Sequence, residues 1–336
     1  MMTRIPSIAR VCLPVLLLAT LAAPSALARQ ATPPPPSDGG PIEIEVSIFV
    51  LDVKRILDAE QSVEADLAYL LAWRDGRLAG GGEQLRALDL ESIWHPIMQP
   101  VSPRGLTELL PEVAYVEPDG RVSYTQRLHG QFGMTTNLHD FPLDRHDLGF
   151  RFAIPNRQRI DMELVPGEMV GVAEQLSIPD WTIRGGRLDL TPMVLSDALP
   201  PMMSAGLILR AERNLSHYLT KVILPLIVIV MISWTVFWAP PPQIAVQFGF
   251  AATSILTVIA YRFALASQLP PVPYSTRLDS FLNGAFILVA LALVEVVVTA
   301  QLIYKERVAD ALKVDVFCRT VFPIVLVLIA GYSFFL

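Results

Sequence analysis

The residue types best able to do chemistry gather in one short stretch. His139-Asp140 and His146-Asp147 lie on either side of Phe141-Pro142-Leu143-Asp144. A histidine beside a carboxylate can hold a metal or relay a proton. A metal-dependent hydrolase needs a further cluster at ligand spacing, and none accompanies these two steps. His95, His129 and His217 stand alone along the chain. Of the two cysteines, Cys12 and Cys318, one falls at the extreme N-terminus and the other in an apolar run, so no metal-binding cysteine pattern exists. The chain reads as a non-enzyme, with no catalytic residue, no metal site and no cofactor.

A second constellation is physical rather than catalytic. The segment from Gln243 to Tyr274 begins with an apolar run long enough to cross a bilayer, yet Gly, Ala, Ser and Thr are scattered through it. Gly249, Thr253, Leu256, Ala260, Phe263 and Ser267 recur at steps of four and three, which puts them on one face of a helix. Such a face can pack closely against another helix. It can also line a narrow water path, with Leu256, Ala260 and Phe263 as a hydrophobic constriction. The stripe alone leaves both readings open.

The elements that would position these residues follow from composition. Residues 1–28 carry Arg4 and Arg10, an apolar run and Ala26-Leu27-Ala28, the pattern of a secretory signal peptide cut after Ala28. The segment 29–41, rich in Pro and Gly, is a tether without a core. Residues 42–214 alternate in short apolar-polar runs broken by Pro, Gly, Asn and Asp, as in an antiparallel β-sandwich of immunoglobulin type. Residues 42–213 hold 26 acidic and 16 basic residues, about ten net negative charges, which attract cations and repel nucleic acid. With Cys12 removed, no disulfide can form within one chain, and packing alone must hold this domain.

From 215 to 336 the chain is a four-helix membrane domain, with spans expected near 216–238, 243–266, 279–303 and 316–336. Pro225 interrupts the first, so a neighbouring helix or water must take up the freed carbonyl. Lys305, Arg307, Lys313 and Arg319 cluster around the last connection, which places it in the cytoplasm. Four crossings then return the C-terminus to the side of the sandwich. Signal peptide and basic loop give the same topology: a multi-pass protein of the bacterial inner membrane with its sandwich and C-terminus in the periplasm.

At this point the residues match a family. Ala72-Trp73-Arg74-Asp75-Gly76-Arg77-Leu78, Ile93-Trp94-His95-Pro96, Pro118-Asp119-Gly120-Arg121-Val122, Phe141-Pro142-Leu143-Asp144, Arg213-Asn214, Tyr218-Leu219, Ile223-Leu224-Pro225, Ser233-Trp234, Leu269-Pro270 and Val272-Pro273-Tyr274 follow in order. In that order they resemble the prokaryotic pentameric ligand-gated ion channels of the Cys-loop receptor superfamily, most of all the bacterial amine-gated branch. The resemblance covers about 42–336. Met134 and Leu148 stand where the family's loop cysteines usually do, so here apolar contact holds the loop.

The resemblance implies a homopentamer in which a small-molecule agonist, an amine or protons, binds between sandwiches and opens a central pore for permeant ions. Gly249 to Ser267 become the pore wall. Phe141, Pro142, Asp144 and Arg213, with the loop near Asp58–Glu60, become the coupling elements that press on Pro270 and Pro273. Tyr115, Tyr124 and Phe152 become candidates for the agonist's aromatic box, beneath a capping loop near 196–205. Arg262 falls off the pore face, and Glu295 is expected to meet Arg319. The inner mouth, Ala245-Val246-Gln247, lacks the charged residue of both standard selectivity patterns. The acidic sandwich favours monovalent cations. The alternatives are a periplasmic sensor or transporter without conduction, or an anion-selective or proton-gated channel of the same fold.

Overall fold

The computed structural model describes residues 32–36, 39–80, 82, 84–155, 160–194, 201–240, 243–266 and 272–335. The expected signal peptide, Ser267, Pro270 and residues 196–200 of the expected capping loop lie outside them.

Eleven strands build two facing sheets. The first holds β1 (Ile42–Leu57), β2 (Ser62–Arg74), β3 (Arg86–Asp89), β5 (Pro103–Glu108), β6 (Val113–Val116), β7 (Arg121–Gly133) and β9 (Met162–Val172). The second runs β10 (Trp181–Asp189), β11 (Met203–Arg213), β8 (Arg145–Ile154) and β4 (Gln99–Pro100). Period-two alternation puts Leu67, Leu71, Tyr124, Leu148, Phe150, Phe152, Leu207 and Leu209 on the inner faces. Aromatic pairs stitch the two sheets together, Phe132 against Phe150 at 5.2 Å and Tyr69 against Phe152 at 5.6 Å. Met134 and Leu148 are buried in this same core, where a disulfide might have stood.

Among the described residues the pairing is antiparallel with one exception, which refines the antiparallel sandwich expected. β9 runs parallel to β1, with Ile42 opposite Met162 and Val46 opposite Pro166. β9 arrives from the opposite sheet at the same end where β1 begins, so it must run in the same direction.

Four helices follow, each long and apolar enough to cross a membrane: Leu215–Trp238, Ile244–Ala266, Arg277–Tyr304 and Val308–Phe335. Asn214 caps the first, its side chain accepting from the Ser216 N–H. Pro225 lacks an N–H for the carbonyl one turn back, and the chain widens into a π-helical turn at Leu219–Ile223. Tyr261 of the second helix donates its hydroxyl to the Val222 carbonyl at 2.7 Å, with the Lys221 carbonyl at 3.4 Å. This is the neighbour that Pro225 demanded. The fourth helix starts at Val308 rather than near 316, because Asp310 pairs with Arg307 and Lys313 and makes a polar first turn helical.

The third and fourth helices pack closely at Gly284, where an added Cβ would collide with Ile329 Cγ2. Gly284→Val should lower the melting temperature of the detergent-solubilised protein, at a cost of about 1–3 kcal/mol for overpacking. An unchanged melt would show that the helices separate there at no cost.

Candidate functional site

The stretch from Leu138 to Asp144 forms the seam between sandwich and helices. Its Phe141–Pro142 peptide is cis. Phe141 points, with Leu138, into the core of the helices beside Val222, Ile223, Leu278 and Phe281. Its ring meets Tyr218 edge-on at 4.9 Å. Pro142 is buried and Leu143 exposed.

The loop satisfies the start of the third helix. A helix N-terminus leaves backbone N–H groups without intrahelical partners. Here the Arg277 N–H donates to the His139 carbonyl at 3.0 Å and the Leu278 N–H to the Phe141 carbonyl at 3.1 Å. Thr276 and Asp279 close a capping box at the same end. The link before it is held as well: the Leu138 N–H donates to the Tyr274 hydroxyl at 3.0 Å, and the His139 ring stacks on Tyr274 at 4.1 Å. Arg277 reaches Asp140 with Nε and the Phe334 carbonyl, at the end of the fourth helix, with Nη1. Pro273, in the same link, is exposed.

Above this, Arg213 is enclosed. Its Nε donates to Asp144 Oδ1 at 2.8 Å, and its Nη2 to Asp144 Oδ2 at 2.9 Å and Asp58 Oδ2 at 2.8 Å. Its guanidinium lies 4.1 Å from the Trp181 ring centre and 4.8 Å from that of Phe141. Burial by itself pulls the Arg213 guanidinium down, but the Asp144 hydrogen bond and both carboxylate charges override it and hold the group firmly protonated. Burial likewise pushes the Asp144 carboxyl up, and donors from His146 and Arg213 win, holding it below the usual carboxylate range. His146 Nε2 sits 2.7 Å from Asp144 Oδ2. The sequence marked Asp144, Arg213 and the Asp58–Glu60 loop as coupling elements, but not the bonds that join both carboxylates to Arg213, nor the parts played by Trp181, His146, Tyr274 and Arg277.

The second helix sorts its residues cleanly. Gly249, Thr253, Leu256, Ala260 and Phe263 are all exposed, Leu256 by 66% and Phe263 by 76%. Gln247, Ala251, Ser254, Val258 and Leu265 are buried against the other helices. Gln247 was read as part of the inner mouth. It turns inward instead, its Nε2 donating to the Ala239 carbonyl at 2.9 Å, and only Ala245 and Val246 face outward there. Arg262 lies over the Phe286 ring at 5.6 Å, off the stripe.

Three expectations change. Phe152 is fully buried and Tyr124 nearly so, both within the sandwich core, because each sits at an inward position of its strand. Tyr124 also contacts the Gln126 side-chain amide, at 3.2 Å. Of the proposed box residues only Tyr115, 46% exposed, reaches the surface. Glu295 does not meet Arg319. It faces Asp315, one turn earlier on the fourth helix, while Arg319 donates to the Phe237 carbonyl at 2.8 Å and lies over Trp238.

The family model for the neurotransmitter-gated ion-channel transmembrane region matches residues 222–309. A proton-gated ion channel of Gloeobacter violaceus is 24% identical over 314 residues, spanning 90% of this chain and 86% of that protein. The gamma-aminobutyric acid receptor subunit beta-4 of Gallus gallus is 25% identical over 273 residues, 78% of this chain. The match spans 55% of that receptor subunit, about half its length.

Two measurements check this geometry. Arg213→Gln strands two buried carboxylates and should cost about 3–5 kcal/mol in chemical unfolding. Because the Asp144 carboxyl is held low, its contribution is complete above the ordinary aspartate value, about pH 3.9, and is lost as pH falls through the lower native one. An Arg213→Gln loss already absent at neutral pH would contradict the seam. Phe152→Ala should cost about 3–5 kcal/mol of stability, whereas a surface contact for an agonist would leave stability intact.

Proposed function

We propose that the chain is a pentameric ligand-gated ion channel and that five copies surround a central pore walled by the second helix. The sandwich lies in the periplasm and the helices cross the bacterial inner membrane, with 1–28 as the export signal and 29–41 as a tether. An agonist, a small amine or protons, binds where sandwiches of neighbouring subunits meet. Its energy passes through the Leu138–Asp144 loop to the link at Val272–Tyr274 and so to the pore helix.

One observation carries the pore reading. The stripe predicted from spacing stays uncovered along its described length while Gln247, Ala251, Ser254, Val258 and Leu265 on the opposite face are buried. A close-packing stripe would be buried by the chain's own helices. Leu256 and Phe263, apolar and exposed, suit a ring that closes by shedding water. Among the described residues the stripe carries no charge, so selection falls to the vestibule above. The acidic sandwich enriches cations there, and the channel conducts monovalent cations. A sensor or transporter without conduction has no use for such a wall.

Ion flux into proteoliposomes tests the wall. Leu256→Ala and Phe263→Ala should each raise resting flux about tenfold or more, the effect of removing roughly 1.4 kcal/mol from a barrier. Unaltered resting and evoked flux in both would sink the pore assignment. In a NaCl gradient the reversal potential should move towards the sodium potential, and a shift towards the chloride potential would overturn the cation reading.

A further inference from the structure

Besides Asp58, Asp144 and Arg213, the buried seam holds His146, the one member whose charge can change near neutral pH. The His146 and Asp144 side chains are both almost wholly enclosed. The imidazole lies 5.4 Å from the Trp181 ring, the same ring that carries Arg213. The seam is short of positive charge: two carboxylates face one guanidinium. Asp58 Oδ1 is buried without any donor among the described residues. A buried cluster with excess negative charge draws in a proton.

The other members are poor acceptors of it. Arg213 is always charged, and Asp144 is already saturated with donors. Neutral His146 gives its Nε2 proton to Asp144, so the incoming proton belongs on Nδ1. A cleft of roughly 430 Å³ lined by Asn137, Arg145, His146 and Asp147 offers solvent a way in. The charges around His146 come from every neighbouring element: Asp144 before β8, Arg213 at the end of β11, and Asp58, after β1, through Arg213. Arg145 and Asp147, on β8 itself, pair outward with Glu212 at 3.4 Å and Arg210 at 3.9 Å and leave the balance unchanged.

We propose that His146 is a proton-binding site at the junction, where a proton on Nδ1 neutralises the four-group seam and clamps the Leu138–Asp144 loop onto Arg213. Acid therefore tightens the joint between sandwich and helices. As a regulatory device this rests on the channel reading, since a tighter joint matters only if force crosses it. The device needs no ligand beyond the proton and adds to whatever an agonist does between subunits.

Trp181 supplies a reporter, because an imidazolium quenches indole emission more strongly than a neutral imidazole. The full-length protein in liposomes is titrated from about pH 8 to about pH 5, and the Trp181→Phe spectrum is subtracted to isolate Trp181. Where that variant fails to assemble, the difference between wild type and His146→Gln isolates the same signal. His146→Gln keeps a donor for Asp144 and cannot gain charge. Wild type should lose Trp181 emission in one wave that His146→Gln lacks, and the variant's pH-dependent change in ion flux should fall to less than about a third of the wild-type change.

A wave that survives in His146→Gln, or no wave in wild type, overturns the proposal. So does a lost wave with an unaltered pH dependence of flux. A wild-type wave in a protein that passes no ions at any pH supports the proton site and sinks the channel reading instead.

Discussion

The structure depends on one buried guanidinium. Arg213 is the last residue of β11 and stands immediately before the cap of the first helix, so its backbone belongs to both domains. Burying it without partners would cost several kcal/mol, and two carboxylates and two aromatic faces remove that cost. These four partners come from three parts of the chain: the turn after β1, the loop before β8, and the start of β10. The requirement to neutralise one charge thus fixes three separate segments at one point. A seam of purely apolar contacts could slide, whereas hydrogen-bond geometry at a guanidinium allows a few arrangements only.

From that point the constraint passes to the helices through backbone as well as side chains. Carbonyls of His139 and Phe141 occupy the N–H groups that open the third helix, and Tyr274 holds the residue before them. Such bonds hold the loop and the helix start together, because a helix end left unsatisfied in a buried place is costly. The loop reads as a coupling element because Phe141 lies in the helix core while Asp144, three residues on, lies in the sandwich's seam. Movement of either domain must strain that short span.

Much of this was legible in the sequence, and the gaps have physical causes. The stripe of the second helix emerged because spacing alone fixes a helical face. The same arithmetic, carried to the other side, would have placed Gln247 with Ala251, Ser254 and Val258 and away from the mouth. Glu295 was assigned to Arg319 by charge, but the rotation of the fourth helix is set by packing that no single-helix pattern encodes. Its polar first turn was read as loop because hydropathy does not register ion pairs three residues apart. Tyr124 and Phe152 invited a surface role as aromatics, while the alternation of their own strands puts them inside. Asp58 was marked only as part of a coupling loop, and its pairing with Arg213 needed the fold.

These features also bear on how an uncharged wall can belong to a selective pore. An ion passing Leu256 and Phe263 meets no fixed charge from the described second helix, since Arg262 is turned onto Phe286. The wall can then govern only whether water, and any ion with it, enters at all. On the proposed channel reading, which ion arrives is decided earlier, where the acidic sandwich sets the local concentration through a field that salt screens within about 10 Å. On that reading gate and filter are separate in space, and the seam built on Arg213 is the solid connection between them.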